Sequence, residues 1–221
     1  MMLMQQSFGA CWYACYLLHT DAVMLLLTYI HECVAQLDEA GFTIGASLWR
    51  DTISFMLNQQ AHNKSYFGVN EFGGEATPPD HKSYWLNTTR SIPHATRQLV
   101  VALYLLGKQQ AASLEICCTQ CYGVGHWLPE FDAAVGTPLG PPLLATSPAN
   151  VSSRRYSNAL VLVNAFAATA TEPERGRTLR VTLPAGGWYR DLFGVTYLSQ
   201  YVWLPPKSGL VLLMPTVLNM V

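Results

Sequence analysis

Charge is what this sequence has least of. Asp, Glu, Lys and Arg make up 12% of its 221 residues, against about 25% in an average soluble domain. The formal net charge is -1. There is no basic stripe to meet a phosphate backbone, so nucleic acid is excluded as a partner. Long apolar runs are missing too. The longest early one, 22–30, falls far short of the roughly 20 residues that cross a bilayer, and a membrane-spanning chain is not expected. No basic residue precedes the apolar part of MMLMQQSFGACWYACYLLHTD, so the sequence shows no secretory signal peptide. There is no G-x-S-x-G elbow, no P-loop and no dinucleotide fingerprint. His62, His81 and His94 have no metal-ligand spacing. No cofactor is expected.

Little charge with much apolar content, 50% of residues, predicts a chain that seeks partners. It points to self-association, a carbohydrate-facing setting, or a protein continued by an upstream segment. The six cysteines could pair Cys11-x3-Cys15 with Cys118-x2-Cys121 around zinc, but both pairs sit among apolar residues. Buried or disulfide-bonded thiols explain them better, and no metal is assigned. Glycosylation acceptors stand at Asn63, Asn87 and Asn150. Together these features favour an extracellular or secretory-pathway location.

The organising stretch is AASLEICCTQCYGVGHWLPEFDAAVGTPLGPP, 111–142. An apolar run carrying Glu115 opens into a loop with Tyr122, His126, Trp127, Glu130 and Asp132, spaced by glycines. A strand that delivers a polar, aromatic-rich loop to a sheet edge is how α/β proteins build sites. Ahead of it, helix and strand alternate: a helix over 20–40, a strand over 42–49, a short helix over 52–60, a strand over 65–72, a helix over 92–106 and a strand over 113–118. Apolar strands separated by a helix predict parallel pairing. After a Pro- and Ser-rich boundary at 141–153, short β-runs follow one another between Gly, Pro and Asn turns, and alternation is plain in 178–183.

The phrases YSNALVLVN (156–164), TLRVTLPAGGWYRDLFG (178–194) and YVWLPPKSGLVLL (201–213) resemble the C-terminal β-domain of barrel glycoside hydrolases. WLPEFDAAVGTPLGPP (127–142) resembles the segment that leaves the last barrel strands, so the resemblance covers roughly 42–213. It implies an α/β fold: a partial (β/α) barrel, the C-terminal portion of a TIM barrel, over 1–145, followed by a small antiparallel β-sandwich over 155–221.

The resemblance further implies hydrolysis of O-glycosidic bonds by paired carboxylates. Glu71, after Asn70 at a strand end, stands where an acid/base residue is expected, with Asn70 on a sugar hydroxyl. Its partner would be Glu115 or Asp51. Each has a plainer reading: Glu71 a solvated loop-mouth residue, Asp51 the cap of the helix starting at Thr52, Glu115 a paired or protonated strand carboxylate. Trp85, Tyr122, His126 and Trp127 are the expected sugar contacts, since pyranose CH faces stack on aromatic rings. The alternative is a carbohydrate-binding or structural subunit of a larger assembly that uses the same aromatic platform.

Overall fold

The computed structural model describes residues 45–63, 66–72, 92–109, 112–118, 127–146, 150–165, 176–184 and 188–214. Helix α1, Gly45–Ala61, takes in 45–49 of the stretch expected as a strand and the 52–60 stretch expected as a separate helix. The reason is periodicity. Trp49, Ile53, Met56 and Gln60 are buried along one side of a single helix, while Ser54 and Asn58 face water, which is the spacing of an amphipathic stripe.

Strand β1, Tyr66–Phe72, and strand β2, Ala112–Cys118, pair in parallel, with helix α2, His94–Gly107, between them in the chain. From Arg97 to Gly107 every residue of α2 except Tyr104 is buried, so this helix is central rather than a surface cover. Pro93 precedes its first turn, where a missing N–H costs nothing. At Gly107 an added Cβ would lie 2.6 Å from Met56 Sδ, so the Met56 side chain fills the space where α1 and α2 cross.

Beyond Ala145 the strands are antiparallel. They are β3 (Ser152–Arg155), β4 (Ala159–Asn164), β5 (Leu179–Thr182), β6 (Tyr189–Arg190), β7 (Thr196–Tyr197), β8 (Tyr201–Leu204) and β9 (Ser208–Leu213). A five-stranded sheet has the order β3-β4-β9-β6-β7, and β5 and β8 form a separate ribbon. Part of the stretch expected as linker therefore belongs to the sheet. Ser152 begins β3, and the chain before it bridges onto that strand at Leu143↔Ser153 and Pro138↔Tyr156.

The alternation of β4 and β9 sorts the core into two halves. Ala159, Val161, Val163 and Val211 pack with α2, and with Trp49 and Ile53 of α1. Leu160, Leu162, Leu210 and Leu212 pack with Leu183, Val202 and Leu204 of the ribbon and its flank. Helices lie on one face of the sheet and the ribbon on the other. Gly209 lets the helix come down onto the sheet: a Cβ there would stand 2.8 Å from both Leu99 Cα and Ala102 Cβ.

This architecture overturns the (β/α) barrel. Among the described residues the parallel sheet has two strands and every sheet is open, whereas a barrel needs many more parallel strands closed on themselves. The packing of α2 says why. A barrel helix covers its own parallel strands, but α2 buries its apolar surface against antiparallel β3, β4 and β9. The resemblance to barrel glycoside hydrolases is corrected with it.

Candidate functional site

The open sheets remove the barrel setting in which the expected carboxylates would face one another across a scissile bond. In the parallel register Glu71 stands opposite Cys117, Asn70 opposite Ile116, and Glu115 opposite Val69. Asp51 lies inside α1 rather than at a strand end or at a helix start, because the helix begins upstream of it. With no barrel to set carboxylates around a scissile bond, the hydrolase assignment is withdrawn. Trp85, Tyr122 and His126 lie outside the described residues, as do Cys11, Cys15 and Cys121. Among the described residues no cluster of three His, Cys, Asp or Glu side chains could hold a metal ion. Among them, too, no helix is long and apolar enough to cross a membrane.

Trp127 is the one expected sugar contact whose side chain is described, and it borders a cavity. Leu128 is buried and leads into a 3-10 turn, Pro129–Asp132, with proline at its start. Trp127 stays 70% exposed, yet it is held: its indole Nε1–H donates to Asp132 Oδ2 at 2.9 Å. Phe131 meets it edge-on at 5.6 Å. A fixed, exposed indole is a ready stacking surface, since little rotamer freedom is left to lose on binding.

Behind Trp127 lies a cavity of about 260 Å³ between the second half of α2, the start of β2 and the 127–135 segment. Tyr104, Lys108, Ser113 and Glu130 are among the residues that line it. The Tyr104 hydroxyl donates to the Ala112 carbonyl at 2.7 Å, which ties α2 to β2, and Lys108 Nζ sits 5.6 Å from the centre of its ring. Burial, reinforced by neighbouring Tyr156, pushes the Tyr104 hydroxyl well above the usual tyrosine range. It therefore stays a neutral donor at physiological pH.

Glu130 is the unusual member. It is 4% exposed, and its Oε1 lies 3.2 Å from Arg97 Nη1, also buried. The contact is ionic but lacks hydrogen-bond geometry, so Oε1 has no donor. A buried carboxylate balanced in charge but short of a hydrogen bond is an acceptor awaiting a donor. Arg97 is steadied from another side, its Cζ lying 5.1 Å from the Phe193 ring centre, and His94 stacks on that same ring at 4.1 Å.

Sequence reasoning took Glu130 and Asp132 for loop or cap residues, and Tyr104 and Lys108 not at all. The last two belong to a helix whose apolar run hides its few polar positions. Two further aromatics, Tyr201 and Trp203, were legible in the alternation of YVWL and passed over. Comparison with known proteins adds no assignment: no protein-family model matches the chain, and no curated protein matches it.

Proposed function

We propose that this protein binds carbohydrate in the cavity behind Trp127. The observation that carries the reading is a fixed, exposed indole on a cavity that Glu130, a buried carboxylate short of a hydrogen-bond donor, also lines. A sugar presents both complements: an apolar CH face for the ring and hydroxyl groups that donate to a carboxylate. Aromatic walls with a few placed polar groups are the usual make-up of a small-ligand site. Lys108 and the exposed Ser113 supply donors at the rim.

An extracellular or secretory-pathway setting suits this reading. The chain carries little charge, and the acceptor residues Asn63 and Asn150 are both exposed. The test is titration calorimetry of the full chain against a panel of neutral oligosaccharides, with Trp127→Ala and Glu130→Gln beside the wild type. Trp127→Ala is expected to weaken binding at least tenfold with the melting temperature unchanged, because the ring is exposed. Glu130→Gln keeps the shape and is expected to weaken it as well. If no sugar binds, or binding is indifferent to Trp127, the reading fails and a structural subunit remains.

A further inference from the structure

The outer face of the β5–β8 ribbon is built differently from the cavity, and it lies on the opposite side of the five-stranded sheet from α2. Register sets Trp203 beside Arg180 and Tyr201 beside Thr182. The intervening Val181, Val202 and Leu204 turn inward and pack on β4 and β9. Trp203 is left 59% exposed and Tyr201 42%. The two rings stand edge to face, centroids 6.0 Å apart and planes at 84°. Arg180 lays its guanidinium over Tyr201 at 5.4 Å. Large aromatics on the outside of a ribbon whose inside already fills a core are not needed for folding.

Charge narrows what they could meet. Residues 176–184 and 195–208 contain Arg177, Arg180 and Lys207 and not one Asp or Glu. The contact described for Arg180 is to a ring rather than to a carboxylate, so its five N–H donors lie in a planar fork suited to an anion. Among the described residues, a chain of net charge -1 thus sets Arg180 over an exposed aromatic pair, with no carboxylate in either stretch. Phosphate polymers call for a longer basic track than one free fork and two flanking cations. A polymer of uronic acid asks for less: CH faces for the rings and spaced carboxylates for the guanidinium.

We propose that the Tyr201–Trp203–Arg180 face is a second carbohydrate site, selective for acidic polysaccharide. The choice of carbohydrate rests on the function proposed above, while the preference for acidic chains rests on the ribbon's own charge. The experiment is affinity electrophoresis of the full chain in gels containing polygalacturonate, a neutral polysaccharide, or neither, at low and high salt, with single-stranded oligothymidylate added to the sample in a parallel lane. Trp203→Ala, Arg180→Gln and Trp127→Ala run beside the wild type, and all three residues are exposed, so folding should be kept.

Polygalacturonate is expected to retard the wild type in a salt-sensitive way. Trp203→Ala and Arg180→Gln should each weaken that retardation at least tenfold, with Trp127→Ala unchanged. Retardation equal in wild type and both ribbon variants overturns the proposal. So does loss of acidic-chain binding on Trp127→Ala alone, which would assign that ligand to the cavity. Retardation by single-stranded oligothymidylate but not by polygalacturonate overturns it in favour of nucleic acid. Acidic-chain binding lost with Trp203, in a protein that binds no neutral sugar, upholds the ribbon site and sinks only the cavity. Absence of any retardation sinks the ribbon site.

Discussion

The two faces of the five-stranded sheet are covered by different physics. On the helix face, polar side chains reach out of the sheet and fasten the helix end. Arg154 Nη1 donates to the carbonyls of Leu106 and Lys108 at 2.8 and 2.6 Å and more distantly to Leu105, while its Nε donates to Gly140. Tyr156 adds a bond to Leu105 at 2.6 Å. These are the orphan carbonyls that every helix leaves at its C-terminus. On the ribbon face the cover is almost wholly apolar. Its polar ties include Asn164, whose Nδ2 donates to the Arg177 and Leu204 carbonyls, and Tyr189, whose hydroxyl donates to the Pro184 carbonyl. The helix face is specified by direction, the ribbon face by fit.

If that contrast is right, its largest consequence belongs to Arg154. Arg154→Met should fill similar volume yet leave buried carbonyls without donors, at about 1–3 kcal/mol each, and lower unfolding free energy by about 3–5 kcal/mol in urea. On the other face Leu212→Ala opens a cavity and should cost about 2–5 kcal/mol. A loss for Arg154→Met well below that for Leu212→Ala would erase the distinction. Gly209→Ala comes next. Its methyl would press against helix backbone at Leu99, and overpacking of this kind costs about 1–3 kcal/mol. Its damage should appear as faster amide exchange in α2, with β5 and β8 spared.

The smallest effect is a pH slope, and each face contributes one tyrosine. Burial raises Tyr156 to about 12 despite the nearby Arg154 guanidinium, and burial plus the Asp191 carboxylate raises Tyr197 to about 12. Unfolded, both titrate near about 10. The folded protein thus holds protons that the unfolded chain has released between these values. Stability is fully present below about pH 10 and falls as pH rises through about 12. Tyr156→Phe and Tyr197→Phe should each flatten the alkaline slope in urea unfolding followed across that range. Tyr156→Phe should also lose about 1 kcal/mol at neutral pH through its missing hydrogen bond.

Much of the local structure was open to reading. Gly107 and Pro93 bracket α2, the apolar runs at 66–72 and 112–118 are a parallel pair, and the alternation of 178–183 belongs to a ribbon strand. The failures are of context. FTIGASLW carries β-formers, but Trp49 and Ile53 are one helical turn apart, and the core on that side made the longer period win. The resemblance suggested a barrel, and the alternation of helix and strand did not correct it, because order along the chain does not reveal which sheet a helix will cover. In α2, nearly all sides are apolar, so nothing marks the side that meets β9. The aromatic loop pointed to Trp127. Glu130 read as a loop or cap residue because its partner, Arg97, comes from a helix 33 positions away, as 130 minus 97 shows.

The Arg154 clamp also bears on the order of events during folding. The donors that finish helix α2 come from 46 to 49 residues further along the chain, and Tyr156 reaches back 51 to Leu105. Gln60 of α1 meets the Gly107 carbonyl, but until β3 arrives the carbonyls of Leu105 and Leu106 have only water, and a helix this short is marginal alone. The closure entropy of that long loop must therefore be met before the helix end can set. Formation of α2 then belongs with the docking of β3 and β4, a transition state built on distant contacts and slow in proportion. In a newly made chain, residues 94–107 wait for the strands that will hold them.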